Sequence, residues 1–247
     1  MLKPIQKKLN KLYKEELKER VITTIKDKDK ISAPLLLNIY KSYLDSNIKI
    51  MYVGKETNNW LTHSSIADDK RGVIGVYKGT KLDLDRLLTR YKKQMDTPSK
   101  WKSNAFFKQY TNIQKQLLRE EVGNIVWNNL FKMSYDRGKG YSKNALGHSQ
   151  LQKISKKIFL KELEILSPDI IIFVTGASYD KGIKEYFKNE YETIEIIIPR
   201  KLWKFKYKGI TCYRTVHPDS IRFTKKEARV DYYQMIINDI KKDKGLL

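Results

Sequence analysis

The most informative segment of the chain for its fold is Asp169-Ile170-Ile171-Ile172-Phe173-Val174. Its five consecutive apolar residues leave no polar side chain for a solvent-exposed face, which is typical of a central strand in a parallel sheet with both faces covered. Similar β-branched or aromatic stretches lie at residues 48–54, 124–127, 194–198 and 210–215. These stretches predict a central, mostly parallel sheet of four or five strands.

Amphipathic segments separate the predicted strands. Apolar residues recur at intervals of three and four in residues 82–95, 104–118, 151–166 and 181–187. Because strands that alternate with helices favour a sheet covered on both sides, the sequence predicts a three-layer α/β/α fold. A last helix is predicted from Thr224, where Glu227 completes a capping box, to about Lys242.

The first 46 residues precede this α/β core. The spacing of apolar residues predicts an amphipathic helix over residues 2–25, with a lysine-rich outer face. A second helix is predicted from Ser32, with Pro34 in its first turn, to Leu44. We therefore predict one domain over residues 1–247, with an N-terminal helical extension (1–46) and an α/β core (47–247).

Basic residues dominate the charge of the chain. It has 50 Lys and Arg against 28 Asp and Glu, a formal net charge of +22. Such an excess attracts polyanions, because binding to them releases condensed counterions. Nucleic acid is therefore the first candidate partner. An anionic membrane surface, or simply a genome that overuses lysine codons, is the alternative explanation.

Cysteine and histidine are scarce. Cys212 is the only cysteine, which excludes an internal disulfide and a four-cysteine zinc or iron–sulfur site. His63, His148 and His217 are far apart in the sequence, so we expect no metal site. The chain opens with lysines and has no long apolar run. We therefore expect no signal peptide, no membrane span and a cytoplasmic location.

Polar segments follow three of the predicted strands, at the ends where parallel α/β sheets bind ligands. In the first segment, Gly54 lets the backbone turn sharply where a ligand approaches, and Glu56 offers a carboxylate; a helix N-terminus with a solvated Glu is the alternative. In the second, Asn128 or Asn129 offers an amide that suits the edge of a pyrimidine. The alternative is a pair of turn-forming asparagines.

The third polar segment contains His217. A histidine at a strand end can donate to a carbonyl oxygen on which negative charge grows, and a structural or surface histidine is the alternative. In this order the segments resemble the uracil-DNA glycosylase superfamily, whose members have a strand followed by a Gly-x-Asp/Asn/Ala-Pro type motif. Near the C-terminus the family has a strand followed by His-Pro-Ser or Asn-Pro-Ser.

The resemblance spans residues 48–223. Gly54 matches the motif glycine, Glu56 the water-positioning acid or amide, and His217-Pro218 the second motif. Asn129, with Lys132, is similar to the mid-chain asparagine that reads the base in the family, and Asn128 is the other residue that could match this asparagine. The segment Phe173-Val174-Thr175-Gly176 is similar to the strand-glycine segment that precedes the C-terminal motif.

The resemblance implies a monofunctional DNA glycosylase that flips a nucleotide out of double-stranded DNA. Glu56 would stabilise the cationic sugar and orient the attacking water, and His217 would donate to the departing base. Ser220, Ile221 and Arg222 would form the loop that enters the minor groove, with Ile221 as the apolar wedge. No metal or other cofactor is implied, and we expect a monomer.

Departures from the family pattern bear on the substrate. The uracil-removing branch has Asp-Pro-Tyr where this chain has Glu56-Thr57-Asn58, and its Tyr excludes substituents on carbon 5 of the pyrimidine. Asn58 is smaller, and the single cysteine excludes the iron–sulfur branch. We therefore expect a carbon-5-modified cytosine of phage DNA, hydroxymethylated or glucosylated, and a role in antiviral defence. Uracil repair and a non-catalytic DNA-binding module on the same fold are the alternatives.

Aromatic and basic side chains supply further candidates. Trp60, Phe106 and Tyr77 are candidates for stacking on the base, with core packing as the alternative. Lys139 and the lysine-alternating stretch 201–208 are candidates for phosphate contacts, and the stretch equally fits an edge strand protected by lysines. A nuclease is disfavoured because the strand ends supply no cluster of carboxylates for metal ions.

Overall fold

The computed structural model describes residues 2–57, 60–62, 70–97, 104–135, 145–223 and 230–246. The chain forms two compact units, each assembled from three separate segments. The first unit comprises Met1–Ile39, Lys55–Gln94 and Asn128–Ser167, and the second comprises Tyr40–Gly54, Met95–Trp127 and Pro168–Leu247. The first 46 residues, predicted to be an extension, are thus divided between the two units.

The secondary structure alternates between helices and strands along most of the chain. The helices are α1 (Leu2–Glu16), α2 (Glu19–Ile22), α3 (Lys41–Asp45), α4 (Leu84–Met95), α5 (Ala105–Leu117), α6 (Ser149–Leu166), α7 (Asp180–Phe187) and α8 (Tyr232–Asp243). The strands are β1 (Ile50–Gly54), β2 (Tyr77–Lys78), β3 (Lys81–Leu82), β4 (Ile125–Asn129), β5 (Ile170–Phe173), β6 (Tyr191–Ile198), β7 (Leu202–Tyr207) and β8 (Ile210–Arg214).

Six strands form the central sheet in the spatial order β4-β1-β5-β8-β7-β6, while β2 pairs with β3 alone. β5 pairs in parallel with β1 and β8, and β7 runs antiparallel to β8 and β6. This confirms the predicted α/β fold with a mostly parallel sheet. The sheet exceeds the predicted four or five strands because residues 202–207 form β7. Since β7 lies between β8 and β6, its interpretation as an edge strand is wrong.

One face of the sheet in the second unit is covered by α5 and α8. Tyr52 of β1 and Tyr213 of β8 align with the same residue of β5, so their side chains point to one face. Tyr52 packs against Tyr110 of α5, with 5.9 Å between the ring centroids. The Tyr213 hydroxyl donates to the Asp239 carboxylate of α8 at 2.6 Å.

The opposite face of the sheet is covered by α7. Phe173 and Arg214 align with each other one residue further along β5 and β8, so they point the other way. The Phe173 ring lies 6.0 Å from the Phe187 ring of α7, and Arg214 Nε lies 2.7 Å from Asp180 Oδ1. Helices on both faces give the predicted three-layer α/β/α arrangement.

In the first unit, α1 packs on α6 through its buried face. The predicted N-terminal helix is present but ends at Glu16 rather than near residue 25. The predicted helix over residues 32–44 is wrong, because most of this segment has no regular secondary structure. Its N–H groups find tertiary partners instead. The Leu35 N–H donates to the Lys132 carbonyl at 2.8 Å. Such tertiary hydrogen bonds outweigh the helix propensity and the capping pattern of this segment.

The other predicted helices are confirmed to within a few residues. Asn104 caps α5 by accepting from the Phe106 N–H at 2.9 Å. Helix α8 begins after its cap Asp231, so a continuous helix from Thr224 is wrong, and the predicted capping box lies outside the described residues. Within the described ranges, no helix is long and apolar enough to cross a membrane.

Candidate functional site

Buried hydroxyl groups of the first unit hold the segment that follows β1. Thr57 Oγ1 lies 2.6 Å from Ser32 Oγ and donates to Ser134 Oγ at 3.2 Å. The Ser134 N–H in turn donates to Ser32 Oγ at 2.9 Å. Because a buried hydroxyl without a partner is costly, this triangle of hydroxyls fixes the backbone next to Glu56.

The Glu56 side chain is half-buried at the end of this segment. Its Oε2 accepts from the Ala145 N–H at 3.3 Å, which orients the carboxylate. Gly54, two residues earlier, is the buried last residue of β1. Its φ is not positive, so any residue could adopt its backbone conformation, and the chain bends at Lys55 and Glu56 directly after it. An oriented, half-buried carboxylate can stabilise a positive charge or hold a water molecule.

Asn128 and Lys132 lie in a fully buried polar network of the first unit. Lys132 Nζ donates to Asn128 Oδ1 and to Glu162 Oε2 of α6. Asn128 Nδ2 donates to the same carboxylate oxygen at 2.9 Å, and the Tyr13 hydroxyl of α1 donates to Glu162 Oε1 at 2.8 Å. Asn128 and Lys132, which were predicted to bind a base, therefore form hydrogen bonds within this network of four side chains instead.

Burial governs the protonation of the groups in this network. Burial lowers the pKa of Lys132, while the adjacent Glu162 carboxylate opposes that shift. Burial raises the pKa of Tyr13 well above its ordinary value, so its hydroxyl remains a donor. A buried charge is tolerated only when it is paired and hydrogen-bonded. The network therefore joins α1, α6 and the segment after β4.

Asn129, the next residue, is placed differently. Its backbone N–H donates to Asn128 Oδ1 at 2.8 Å, which fixes its main chain beside the network. Its side chain is 3% exposed, and in the described part of the chain its amide has no hydrogen-bond partner. Between the two predicted registers, the geometry therefore favours Asn129 over Asn128 for contact with a ligand.

Trp60 and Tyr77, two of the aromatic residues predicted to stack on the base, make contacts within the first unit. The Trp60 ring is 5% exposed and carries the Arg90 guanidinium 4.3 Å from its centroid. The Tyr77 hydroxyl donates to the Leu17 carbonyl at 2.9 Å. Trp60 thus follows the core-packing alternative, whereas Tyr77 is half-buried and its predicted stacking role stays a prediction.

In the second unit, Phe106 lies next to His217. The two half-buried rings have centroids 6.2 Å apart and an angle of 33° between their planes. Phe106 also contacts the Tyr52 ring edge-on at 4.8 Å and the Trp127 ring at 6.1 Å. This cluster leaves a partly accessible aromatic surface beside an imidazole, as expected for a site that holds a planar ring.

The hydrogen bonding of His217 assigns the position of its proton. Nδ1 accepts from the Asp219 N–H at 3.3 Å, so in the neutral ring the proton resides on Nε2. Asp219 Oδ2 lies 3.6 Å from the same Nδ1 and would pair with a protonated ring. In either state Nε2 carries a hydrogen and can donate.

Two buried tyrosines that sequence analysis missed support the Phe106 and His217 backbones. The Tyr233 hydroxyl of α8 donates to the Val216 carbonyl at 2.7 Å. The Tyr52 hydroxyl donates to the Phe106 carbonyl at 3.2 Å. Because burial raises the pKa of both tyrosines well above the ordinary value, both hydroxyls stay protonated and remain donors.

The predicted DNA-contacting residues are only partly described. Ser220 is exposed on the turn after His217, and its hydroxyl donates to the His217 carbonyl. Ile221 and Arg222 continue this turn, but their side chains lie outside the described part of the chain, as do Asn58 and Lys139. Their predicted roles stay predictions.

The lysines of β7 and the turn after it are partly engaged in ion pairs. Lys204 Nζ lies 2.6 Å from Asp239 and 2.9 Å from Asp243 of α8. Lys208 Nζ lies 2.5 Å from Glu190. These pairs weaken the interpretation of the stretch as a track for phosphates. In the residues that the structure describes, His, Cys, Asp and Glu form no group of three able to hold a metal ion.

Glu162 is the most important residue of the network that sequence analysis missed. It lies on the buried stripe of α6 between Phe159 and Leu163. A carboxylate within an apolar stripe is rarely buried without a cation, so the interruption of the stripe was a usable signal. The partner, Lys132, could not be identified from spacing.

Comparison with known proteins provides no assignment. No protein-family model matches the chain, and no curated protein matches it either. A functional assignment therefore rests on the residues of this chain and on their geometry within each unit.

Proposed function

We propose that the chain is a DNA glycosylase that flips a modified pyrimidine out of double-stranded DNA and hydrolyses its N-glycosidic bond, leaving an abasic site. The observation that carries the proposal is the pair formed by His217, whose neutral ring carries its proton on Nε2, and the half-buried Phe106, whose ring centroid lies 6.2 Å from that of the imidazole. A base can stack on the phenyl ring while the imidazole donates to its oxygen. The net charge of +22 supports binding to DNA phosphates.

The proposed reaction separates charge between base and sugar. The bond between sugar C1′ and pyrimidine N1 breaks, and its electron pair leaves with the base. Negative charge then grows on the base oxygen, where His217 Nε2–H donates. The sugar becomes an oxocarbenium-like cation, which the Glu56 carboxylate stabilises. Water adds to C1′ and its proton passes to Glu56, so no metal or other cofactor is required.

Base recognition is assigned to Asn129 and Phe106. The Asn129 amide offers two donor hydrogens and one acceptor oxygen, enough to read one edge of a pyrimidine. Its main chain is fixed by Asn128, so the amide is presented with little loss of entropy on binding. Phe106 would supply the stacking surface, and Trp60 is not assigned a contact with the base.

The substrate we propose is a carbon-5-modified cytosine of phage DNA, hydroxymethylated or glucosylated. Support comes from the sequence, since Asn58 stands where the uracil-removing branch places a tyrosine against carbon 5. A cytoplasmic enzyme acting on such bases would serve in antiviral defence. Plain uracil, removed during base-excision repair, is the alternative substrate at the same site.

An alkali-cleavage assay tests the proposal. Duplex oligonucleotides carrying uracil, hydroxymethylcytosine or glucosylated hydroxymethylcytosine are incubated with the protein and then treated with hot alkali. We expect alkali-dependent breaks at the modified cytosine and release of the free base, detected by mass spectrometry. Breaks without alkali would indicate a nuclease. Binding without any break, on every duplex, would indicate a non-catalytic DNA-binding module and overturn the proposal.

A further inference from the structure

The outer face of α1 carries a row of lysines. Lys3, Lys7, Lys11 and Lys14 follow one another at intervals of four, four and three residues, and all four are exposed. Since an α-helix turns about 100° per residue, these intervals place the four side chains within an arc of about 80°. The row is about 16.5 Å long, from the rise of the helix per residue. The buried face of α1 packs on α6, so the row lies on the solvent side of the helix.

This lysine row destabilises the helix that carries it. Lys3 and Lys7, like Lys7 and Lys11, are four residues apart, a spacing at which like charges repel on a helix surface. The first turn of α1 has no acidic residue, so Lys3 lies uncompensated at the positive end of the helix dipole. Lys11 Nζ lies 3.8 Å from Glu15 Oε1, and in the described part of the chain Lys3, Lys7 and Lys14 have no ion-pair partner. A conflict of this kind between a face and its own helix indicates a requirement other than folding.

The lysines of the neighbouring helix α6 are arranged differently. Lys153, Lys157 and Lys161 also lie four residues apart and are exposed. Lys157 Nζ lies 2.8 Å from a carboxylate oxygen of Glu16, and Lys161 Nζ lies 2.6 Å from one of Glu164. Two of these three charges are therefore neutralised by adjacent carboxylates. Of the two helices, α1 is the one with a continuous excess of positive charge.

We propose that the lysine row of α1 binds the phosphate backbone of double-stranded DNA, as a surface additional to the residues assigned to the excised base. A duplex carries one negative charge per about 1.7 Å of its axis, twice the density of either of its strands. It therefore complements a straight row of positive charge along one helix. This inference concerns phosphate contacts alone and does not rest on the proposed excision reaction.

An anionic membrane surface is a poorer match for α1. Helices that lie on membranes bury an apolar face among the lipid headgroups and acyl chains. The apolar face of α1 is instead occupied by its packing on α6, with Leu9 and Tyr13 fully buried. Only the polar side of the helix remains accessible, which suits a polyanion that is bound through its phosphates.

Binding of a fluorescently labelled duplex with unmodified bases tests the surface, because no base in that duplex has to be excised. When lysines neutralise phosphates, the logarithm of the binding constant falls linearly with the logarithm of the salt concentration, with a slope of about 0.9 per phosphate. Glutamine removes the charge and keeps a good helix former. The variant Lys3→Gln/Lys7→Gln/Lys14→Gln should therefore reduce the slope by about 2.7, and each single variant by about 0.9.

Lys115→Gln/Lys161→Gln/Lys208→Gln is the matched control. These three lysines are exposed, lie outside α1 and are each paired with a carboxylate. Both triple variants carry three positive charges fewer than the unmodified chain of charge +22. The control variant should keep the slope of the unmodified chain.

Equal decreases in the two triple variants would show that net charge alone matters, and would overturn the inference. An unchanged slope in the α1 variant would overturn it too. Vesicles containing phosphatidylserine test the membrane alternative: loss of vesicle binding without loss of duplex binding in the α1 variant would assign the row to a membrane. Thermal unfolding followed by circular dichroism should show no loss of stability in the α1 variant, because repulsion along the helix is removed; if that variant unfolds, the single variants decide. A chain that never excises a base can still give each of these results.

Discussion

Replacing Lys132 by methionine tests the buried network of the first unit. Methionine has a similar length, so the substitution removes the charge while leaving little empty volume. It also leaves the fully buried Glu162 carboxylate without its cation. Removing one partner of a buried pair costs about 3–5 kcal/mol. Because Tyr13 and Asn128 still donate to the carboxylate, we expect the lower value, about 3 kcal/mol.

A double variant separates the lost pair from general disruption of the core. Lys132→Met with Glu162→Gln removes both charges and keeps an amide oxygen that can accept from Tyr13. No uncompensated charge remains, so the double variant should be more stable than Lys132→Met by about 1 kcal/mol or more. Chemical denaturation followed by tryptophan fluorescence gives the free energy of unfolding for each variant.

Lys161→Met is the matched control for this experiment. Lys161 lies on the same helix as Glu162, and its ion pair with Glu164 spans 2.6 Å but is exposed on both sides. Exposed pairs contribute little, so this variant should lose less than about 1 kcal/mol. Equal losses for Lys132→Met and Lys161→Met would refute the network, and so would strictly additive effects in the double variant.

Four further predictions concern the proposed site and the buried tyrosines. Glu56→Gln should bind duplex DNA normally and lose about two orders of magnitude or more in excision rate, whereas the exposed Glu120→Gln should not; near-normal single-turnover rates would remove Glu56 from the mechanism. His217→Ala should slow the chemical step far more than it weakens binding to intact DNA, because its donation strengthens only in the transition state; equal losses would indicate a structural histidine. Asn58→Tyr should abolish activity on a carbon-5-modified pyrimidine and spare any activity on uracil; equal loss on both bases contradicts the proposed pocket. Stability should fall above pH 10 by up to about 1.4 kcal/mol per pH unit for each buried tyrosine, since burial raises the folded pKa of residues such as Tyr13 while unfolded tyrosines ionise near 10; tyrosine absorbance titrated with and without denaturant measures the difference.

The fold class could be predicted because its signals are local. The apolar stretch of β5 has no polar face to expose, so it requires cover on both sides wherever it lies in space. The regular spacing of apolar residues in α4 to α7 likewise depends only on helical geometry. The segment before α3 could not be predicted in this way. Its N–H groups pair with distant partners such as the Lys132 carbonyl, and those partners override propensity.

The residue types that follow the strands can be read from the order of residues alone: a carboxylate at Glu56, an amide at Asn129 and an imidazole at His217. Which of these side chains remain able to bind a ligand depends on contacts made in the folded chain. Asn128 and Lys132 look like ligand-binding residues until Glu162 of α6 is found to engage both, and Trp60 looks accessible until Arg90 is found over its ring. Burial and pairing depend on contacts between residues that are far apart along the chain, and no spacing rule encodes those contacts.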